Sequence, residues 1–310
     1  MELLYFFEKL RTPLLNDINQ AFTYFGEELV TLAAILIILW CVDKYFGRYM
    51  LFVGVMGIMT NTLLKCIFRI PRPWAFDSNF TIVESARAAA TGYSFPSGHT
   101  ANAAVLFWSL AVLVKNKILK TVFIAIPFLV AISRMYLGVH ALLDISVSLT
   151  LSAVLVAGGH YIYKKLSNRT WLCFITGSAV VVLALISVVI ISIINIQLSE
   201  DILVQSGLED AYKVLGLAAA LPAVCILDDK YIKYPTTGKW GYQIAKLLVG
   251  TLLVVAVKEL LKIPFCAIIP GNPIAEFIRY FAVAMTGGLI VPWMFTLVLK
   301  KLNSNTTVSS

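Results

Sequence analysis

Nine apolar runs constrain this chain more than any other feature: they lie at roughly 29–42, 49–68, 99–114, 119–137, 141–163, 171–196, 211–227, 241–261 and 276–299. A bilayer core about 30 Å thick is crossed by about 20 helical residues, so this pattern predicts an all-α fold, a polytopic membrane bundle of about nine transmembrane helices. The 310 residues are 59% hydrophobic and only 14% charged, against roughly 25% charged in soluble domains. That balance excludes an ordinary cytosolic enzyme. The first 25 residues carry too many charges to span, yet Leu3, Phe7, Leu10, Leu14 and Ile18 recur at helical spacing. They predict an N-terminal amphipathic helix lying in the interface. Glu2 and Glu8 stand where a secretory leader would be basic, so no cleaved signal peptide is expected.

The net charge of +8 would suggest a nucleic-acid partner in a soluble protein, but in a membrane protein such an excess marks cytoplasmic loops. No nucleic acid and no obligate protein partner are expected, and membrane lipids are the expected surroundings. With the N-terminus outside, the inner loops hold Lys44 and Arg48, then Lys115, Lys117 and Lys120, then Lys164, Lys165 and Arg169, then Lys230, Lys233 and Lys239. Lys300 and Lys301 follow in an inner tail, while Glu200, Asp201, Glu209 and Asp210 fall outside. The positive-inside rule thus places the N-terminus out and the C-terminus in. One outer connection breaks the pattern, since it carries Lys65, Arg69, Arg72 and Arg87. The five cysteines, Cys41, Cys66, Cys173, Cys225 and Cys266, stand singly with no CxxC and read as buried thiols.

Three short clusters hold most of the polar residues that a membrane bundle has no structural need for: Lys65 through Pro73, Pro96-Ser97-Gly98-His99, and Ser133-Arg134 followed by His140 and Asp144. In the nine-helix arrangement they fall at the end of helix 2, the start of helix 3, the end of helix 4 and the start of helix 5, all on one membrane face. His140 and Asp144 are four apart, so on a continuous helix the carboxylate accepts from one ring nitrogen and leaves the other free as base or nucleophile. Lys65, Arg72 and Arg134 suit phosphoryl oxygens. Ser97 and Gly98 open a helix whose free N–H groups face the same place. Taken singly, each has a plainer reading: an anchoring cation at a helix end, a satisfied polar histidine, or a turn with an N-cap. Their conjunction outweighs these, because a given PSGH tetrapeptide arises by chance in such a chain on the order of once in a thousand. His160, near the basic end of the fifth run, reads as structural or interfacial.

The pattern Lys65-x6-Arg72-Pro73, Pro96-Ser97-Gly98-His99 and Ser133-Arg134-x5-His140-x3-Asp144 resembles the type 2 phosphatidic acid phosphatase superfamily, which includes membrane lipid phosphatases, glucose-6-phosphatase and undecaprenyl pyrophosphate phosphatases. The resemblance implies that His140 is a nucleophile forming a phosphohistidine, that Asp144 orients it, and that His99 protonates the leaving oxygen and then activates water. It implies that Lys65, Arg72, Ser97, Gly98 and Arg134 bind the phosphate, with no cofactor and no metal. Residues 1–165 are expected to form the catalytic core and 166–310 further transmembrane helices 6 to 9, a layout similar to that of glucose-6-phosphatase.

In the C-terminal half, 228–240 reads as a solvated connector, and Lys246, Lys258, Glu259 and Lys262 either pair with neighbours or line a pocket. The proline-rich stretch of Pro264, Pro270 and Pro273 is a candidate lid. The expected activity is hydrolysis of a lipid phosphate or isoprenyl pyrophosphate at the extracytoplasmic face of the cell membrane. A soluble ester such as a sugar phosphate is the alternative substrate. An anion or phosphate-ester transporter is the alternative of another class, though it leaves His140 and Asp144 unexplained.

Overall fold

The computed structural model describes residues 1–165, 169–198, 201–268 and 272–308. Among the side chains discussed above, those of Arg169, Glu200, Cys266, Pro270 and Lys301 lie outside the described residues, and with Pro270 the centre of the candidate lid. The described chain is helical throughout, with no strand. In order the helices are α1 (Glu2–Lys9), α2 (Pro13–Thr23), α3 (Glu28–Ile37), α4 (Lys44–Phe68), α5 (Pro73–Phe76), α6 (Gly98–Leu113), α7 (Lys117–Tyr136), α8 (Leu142–Lys165), α9 (Arg169–Gln197), α10 (Ile202–Leu227), α11 (Trp240–Ile268), α12 (Pro273–Met285) and α13 (Val291–Val308). Every apolar run carries a helix. Among the described residues six helical segments are long and apolar enough to cross a membrane, or up to seven if α2 and α3, bent by 47°, count as one span. The short α6 has 16 residues.

The chain divides into two compact units. The first comprises Met1–Ala34, Val53–Ile162 and Val189–Leu208. Its N-terminal segment is two helices rather than one. Pro13 stands at the first position of α2, and Thr12 caps that helix by accepting from Leu15 N–H at 3.3 Å. The break divides the apolar stripe. Leu4 is buried against Phe80, Ala131, Met135 and Ile145, whereas Phe6, Leu14 and Ile18 face outward. Buried Ala101, Ala103 and Ala104 let α6 pack closely on α7. At the end of α7 the chain must turn sharply, and Gly138 does so with φ +83°. A Cβ there would meet Arg11 Nη2 at 2.7 Å and the Phe80 ring at 3.0 Å, so glycine is required for space as well as for backbone angle. That turn delivers His140.

The second unit comprises Ile35–Phe52, Tyr163–Val188 and Glu209–Ser310. Trp40 is fully buried with Leu36, Leu39, Val254, Val291 and Phe295, and its indole N–H donates to the Gly287 carbonyl at 2.9 Å. The polar stretch after α10, expected as a solvated connector, is exposed at 230, 231, 233 and 237–240 but not at its start. Asp228 is buried, accepting from Lys44 Nζ at 2.8 Å and Arg48 Nη2 at 2.6 Å, and Asp229 accepts from Arg48 Nη1 at 2.9 Å. The reason is electrostatic: Arg48 itself is buried and needs anions to offset its desolvation. Lys246 is likewise buried, donates to the Trp40 carbonyl at 2.6 Å and lies 5.1 Å from the Tyr242 ring centroid. Lys258 and Glu259 form an exposed pair at 3.7 Å. Of the cysteines, Cys66, Cys173 and Cys225 are buried thiols outside any disulfide, while Cys41 is half-buried.

Removing one member of a buried charge cluster leaves the others unpaired, at a cost of about 3–5 kcal/mol. Asp228→Ala is therefore expected to lower the thermal unfolding midpoint of the detergent-solubilised protein clearly, with Asp228→Asn intermediate. A midpoint equal to that of the wild type would contradict the role given to this cluster.

Candidate active site

The sequence clusters meet within the first unit. Lys65 sits in the last turn of α4, Arg72 caps α5, Ser97 caps α6, Arg134 ends α7 and Asp144 lies in the first turn of α8. His140 is not on a helix, since α8 begins at Leu142. The expected pairing along a continuous helix is made differently, by Asp144 reaching back from the first helical turn. Its Oδ2 accepts from Ala141 N–H at 2.9 Å, lies 3.3 Å from His140 Nδ1, and accepts from the Ser94 hydroxyl. Three donors on one buried carboxylate fix its position. With Nδ1–H given to Asp144, the His140 Nε2 lone pair is left to accept, and it faces Arg72 Nη1 at 2.9 Å.

Arg72 is held by carbonyls. Nε donates to Gly92 O at 3.1 Å, Nη1 to Val139 O at 2.9 Å and Nη2 to Thr91 O at 2.6 Å. The 91–93 loop that presents these oxygens also takes Lys65 Nζ on the Tyr93 carbonyl. The Tyr93 hydroxyl in turn donates to Asp201. Arg134 is fully buried, and only Nη1 has a partner, the Thr23 hydroxyl at 2.7 Å; Nε and Nη2 have none. Two buried guanidinium donors without acceptors are costly unless a ligand supplies oxygens. Ser97 is buried, and its hydroxyl caps α6 by accepting from the Thr100 backbone N–H at 3.4 Å; it also accepts from the Thr100 hydroxyl at 3.0 Å, while the Ser97 backbone N–H donates to Asp144 O at 3.3 Å. At Gly98 the nearest atom to an added Cβ would be 3.9 Å away. His99 Nε2 lies 3.1 Å from Glu27 Oε1.

The structure thus joins His140, Asp144 and Arg72 by direct contacts, with Lys65, Arg134 and His99 close enough to act on His140 electrostatically. Arg69 is exposed and stands apart. Burial first, then Arg72, Arg134, Lys65 and His99, hold the His140 imidazole well below its ordinary pKa of 6.5. Its neutral form is the one a nucleophile needs. Sequence reasoning missed Thr23, Glu27 and Ser94, which support Arg134, His99 and Asp144. Ser94 lies two residues before the Pro96-Ser97 turn and was within reach of a closer reading; Thr23 and Glu27 come from a segment some 70 residues upstream with no motif to signal them. Among the described residues no group of three His, Cys, Asp or Glu gathers as a metal cage.

The PAP2 superfamily profile matches residues 46–168, spanning all the clusters, and that of the "PAP2 superfamily phosphatase, transmembrane extension" matches residues 212–304. The chain belongs to the PAP2 superfamily. Among similar proteins is the phosphatidylglycerophosphatase B of Bacillus subtilis (strain 168), 34% identical over 44% of this chain and 69% of the relative. The undecaprenyl-diphosphatase BcrC of the same organism is 28% identical over 41% of this chain and 65% of the relative. The human sphingosine-1-phosphate phosphatase 2 is 23% identical over 42% of this chain but only 33% of the relative. No solved structure matches. Superfamily membership, the transmembrane-extension match and long apolar helices make the chain an integral membrane protein.

Because the His140 pKa is lowered, its protonation begins only as the pH falls below the ordinary imidazole value. In protein carrying His99→Gln and His160→Gln, where His140 is the sole histidine, NMR of the ring protons is expected to report a neutral imidazole at pH 6.5. Half-protonation at or above pH 6.5 would show that burial and the neighbouring cations do not act as described.

Proposed function

We propose that this chain is a membrane phosphatase that removes phosphate from a lipid phosphate or isoprenyl diphosphate through a phosphohistidine at His140. The observation that carries the reading is the His140 arrangement: Nδ1 on Asp144, the Nε2 lone pair toward Arg72, and two Arg134 nitrogens that have no partner among the described residues. Nε2 exchanges its contact with Arg72 for phosphorus, attacking as the bond to the leaving oxygen breaks, and His99 gives that oxygen a proton. Water then attacks phosphorus as the phosphorus–nitrogen bond breaks, losing a proton to His99, which restores both histidines. Arg72, Arg134, Lys65, Ser97 and the Gly98 N–H hold the phosphoryl oxygens, whose charge grows in the five-coordinate transition state. Asp144 supports the positive charge that develops on the attacking imidazole. No step calls on a metal or other cofactor.

A lipid substrate is favoured because each relative reported above is named for a phosphorylated lipid. Every residue given a chemical role lies within 1–165, the proposed catalytic core, and 166–310 supplies the additional helices, in keeping with the extension profile. In this reading nine helices span the membrane, the outward apolar residues of α1 and α2 rest in the interface, the N-terminus is outside and the C-terminus inside. The site then opens to the extracytoplasmic face of the cell membrane.

His140→Ala is expected to reduce phosphate release by a factor on the order of 1,000 or more, with vanadate inhibiting the wild type and EDTA leaving it active. Isoprenyl diphosphates, phosphatidate, phosphatidylglycerol phosphate, sphingoid phosphates and sugar phosphates form the substrate panel. Preference for a sugar phosphate would overturn the lipid assignment, and phosphate-ester flux that survives His140→Ala would indicate a transporter. A cysteine placed by Ser78→Cys is expected to react with an impermeant reagent from outside. Reaction only from the cytoplasmic side would reverse the topology.

A further inference from the structure

We propose that Glu27 is a positioning residue for His99, holding its Nε2–H so that Nδ1 is the atom that moves protons to and from the substrate. The proposal rests on the phosphatase reading for the use of His99, and on geometry for the pairing. Glu27 Oε1 lies 3.1 Å from His99 Nε2. The backbone beside it is pressed onto the start of α6: a Cβ at Gly26 would sit 2.5 Å from the His99 carbonyl oxygen. Asn102 Nδ2 donates to the Gly26 carbonyl at 3.3 Å, and Phe25 meets Phe107 edge-on with ring centroids 5.7 Å apart. The turn is thus clamped to α6 at three side chains, and glycine at 26 is what lets the carboxylate come so near.

The pairing answers two needs of the reaction. A carboxylate on Nε2–H fixes the tautomer, as Asp144 does for His140, but with the opposite ring nitrogen. Its negative charge also offsets part of what burial, and then Arg134 and Arg72, cost an imidazolium. His99 enters the cycle as that imidazolium: in phosphoenzyme formation its Nδ1 proton passes to the leaving oxygen as the bond to phosphorus breaks, leaving the neutral Nε2–H tautomer, and in hydrolysis Nδ1 takes a proton from the attacking water. The cycle closes without net change at Glu27, which remains a carboxylate throughout. Its side chain is 38% exposed, against 15% for His99, so the pair forms the more open edge of the site while His140 is buried.

The test compares leaving groups with the full-length protein in detergent. An aryl oxide departs without a proton, whereas an alkoxide needs one in the transition state. Glu27→Ala is expected to lower kcat/KM for dodecyl phosphate by about 10- to 100-fold and for p-nitrophenyl phosphate by less than about 3-fold. Glu27→Gln, which keeps an acceptor oxygen, is expected to retain more activity, and neither change should add to the loss caused by His99→Ala. Equal losses on both substrates, or full additivity with His99→Ala, would overturn the proposal. A second readout needs no turnover: with His140→Gln and His160→Gln, nitrogen NMR of His99 in its neutral form, at alkaline pH, is expected to show the Nε2–H tautomer, and Glu27→Ala is expected to release it. An Nδ1–H tautomer in the presence of Glu27 refutes the pairing whatever the enzyme hydrolyses, while inactivity toward every phosphate ester refutes only the phosphatase reading.

Discussion

Positive charge held by neutral acceptors is the condition on which the site is built. Arg72 is fixed by the carbonyls of Thr91, Gly92 and Val139, and Arg134 by the hydroxyl of Thr23. Among the described residues no carboxylate lies within ion-pair distance of either guanidinium. The two carboxylates nearest the chemistry are engaged elsewhere, Asp144 with His140 and Glu27 with His99. Burying cations without anions is expensive, and the cost is tolerable only because the fold supplies so many fixed dipoles. A dianionic phosphoryl group entering such a site meets donors that are already oriented and not neutralised. In the second unit Arg48 is treated in the opposite way, matched to Asp228 and Asp229, whereas the buried Lys246 again rests on a carbonyl. One chain thus shows both solutions to buried charge, pairing with anions and solvation by fixed dipoles.

The supports of the site come from places the motifs do not mark. Ser94 steadies Asp144, and the loop carbonyls at 91–93 steady two cations. The bend between α2 and α3 brings Thr23 and Glu27 against residues more than 70 positions away. Together these second contacts decide which ring nitrogen of each histidine is free. His140 presents Nε2 and His99 Nδ1, so the two imidazoles use opposite faces of the same side-chain chemistry.

How much of this was legible in sequence follows from what each feature depends on. The helices were legible because bilayer thickness imposes length and hydropathy locally. The site clusters were legible because their residue types are wasteful in a membrane unless used, and because their order and spacing resemble a known family. The split of the N-terminal stripe was half legible: Thr12-Pro13 is a helix start, and it outweighed the continuous 3.6-residue period of Leu3 through Ile18. The burial of Asp228 was not legible, because a run of two aspartates and a lysine looks solvated until Lys44 and Arg48 are brought to it by tertiary packing. Glu27 was invisible for the same reason. A lone acidic residue between apolar segments acquires meaning only from what folds against it.

The link from Lys65 through the Tyr93 carbonyl, and from the Tyr93 hydroxyl to Asp201, ties the 91–93 loop to the approach of α10. The first unit accordingly includes Val189–Leu208 as well as the segments that bear the motifs. During synthesis the motif-bearing helices leave the ribosome first, and the residue that anchors their loop follows more than 50 positions after Asp144. The loop around Tyr93 therefore reaches its final anchorage only after α9 has been made and the chain has returned. Completion of the first unit is consequently a late event in biogenesis, because its last segment, Val189–Leu208, follows all the motif-bearing helices.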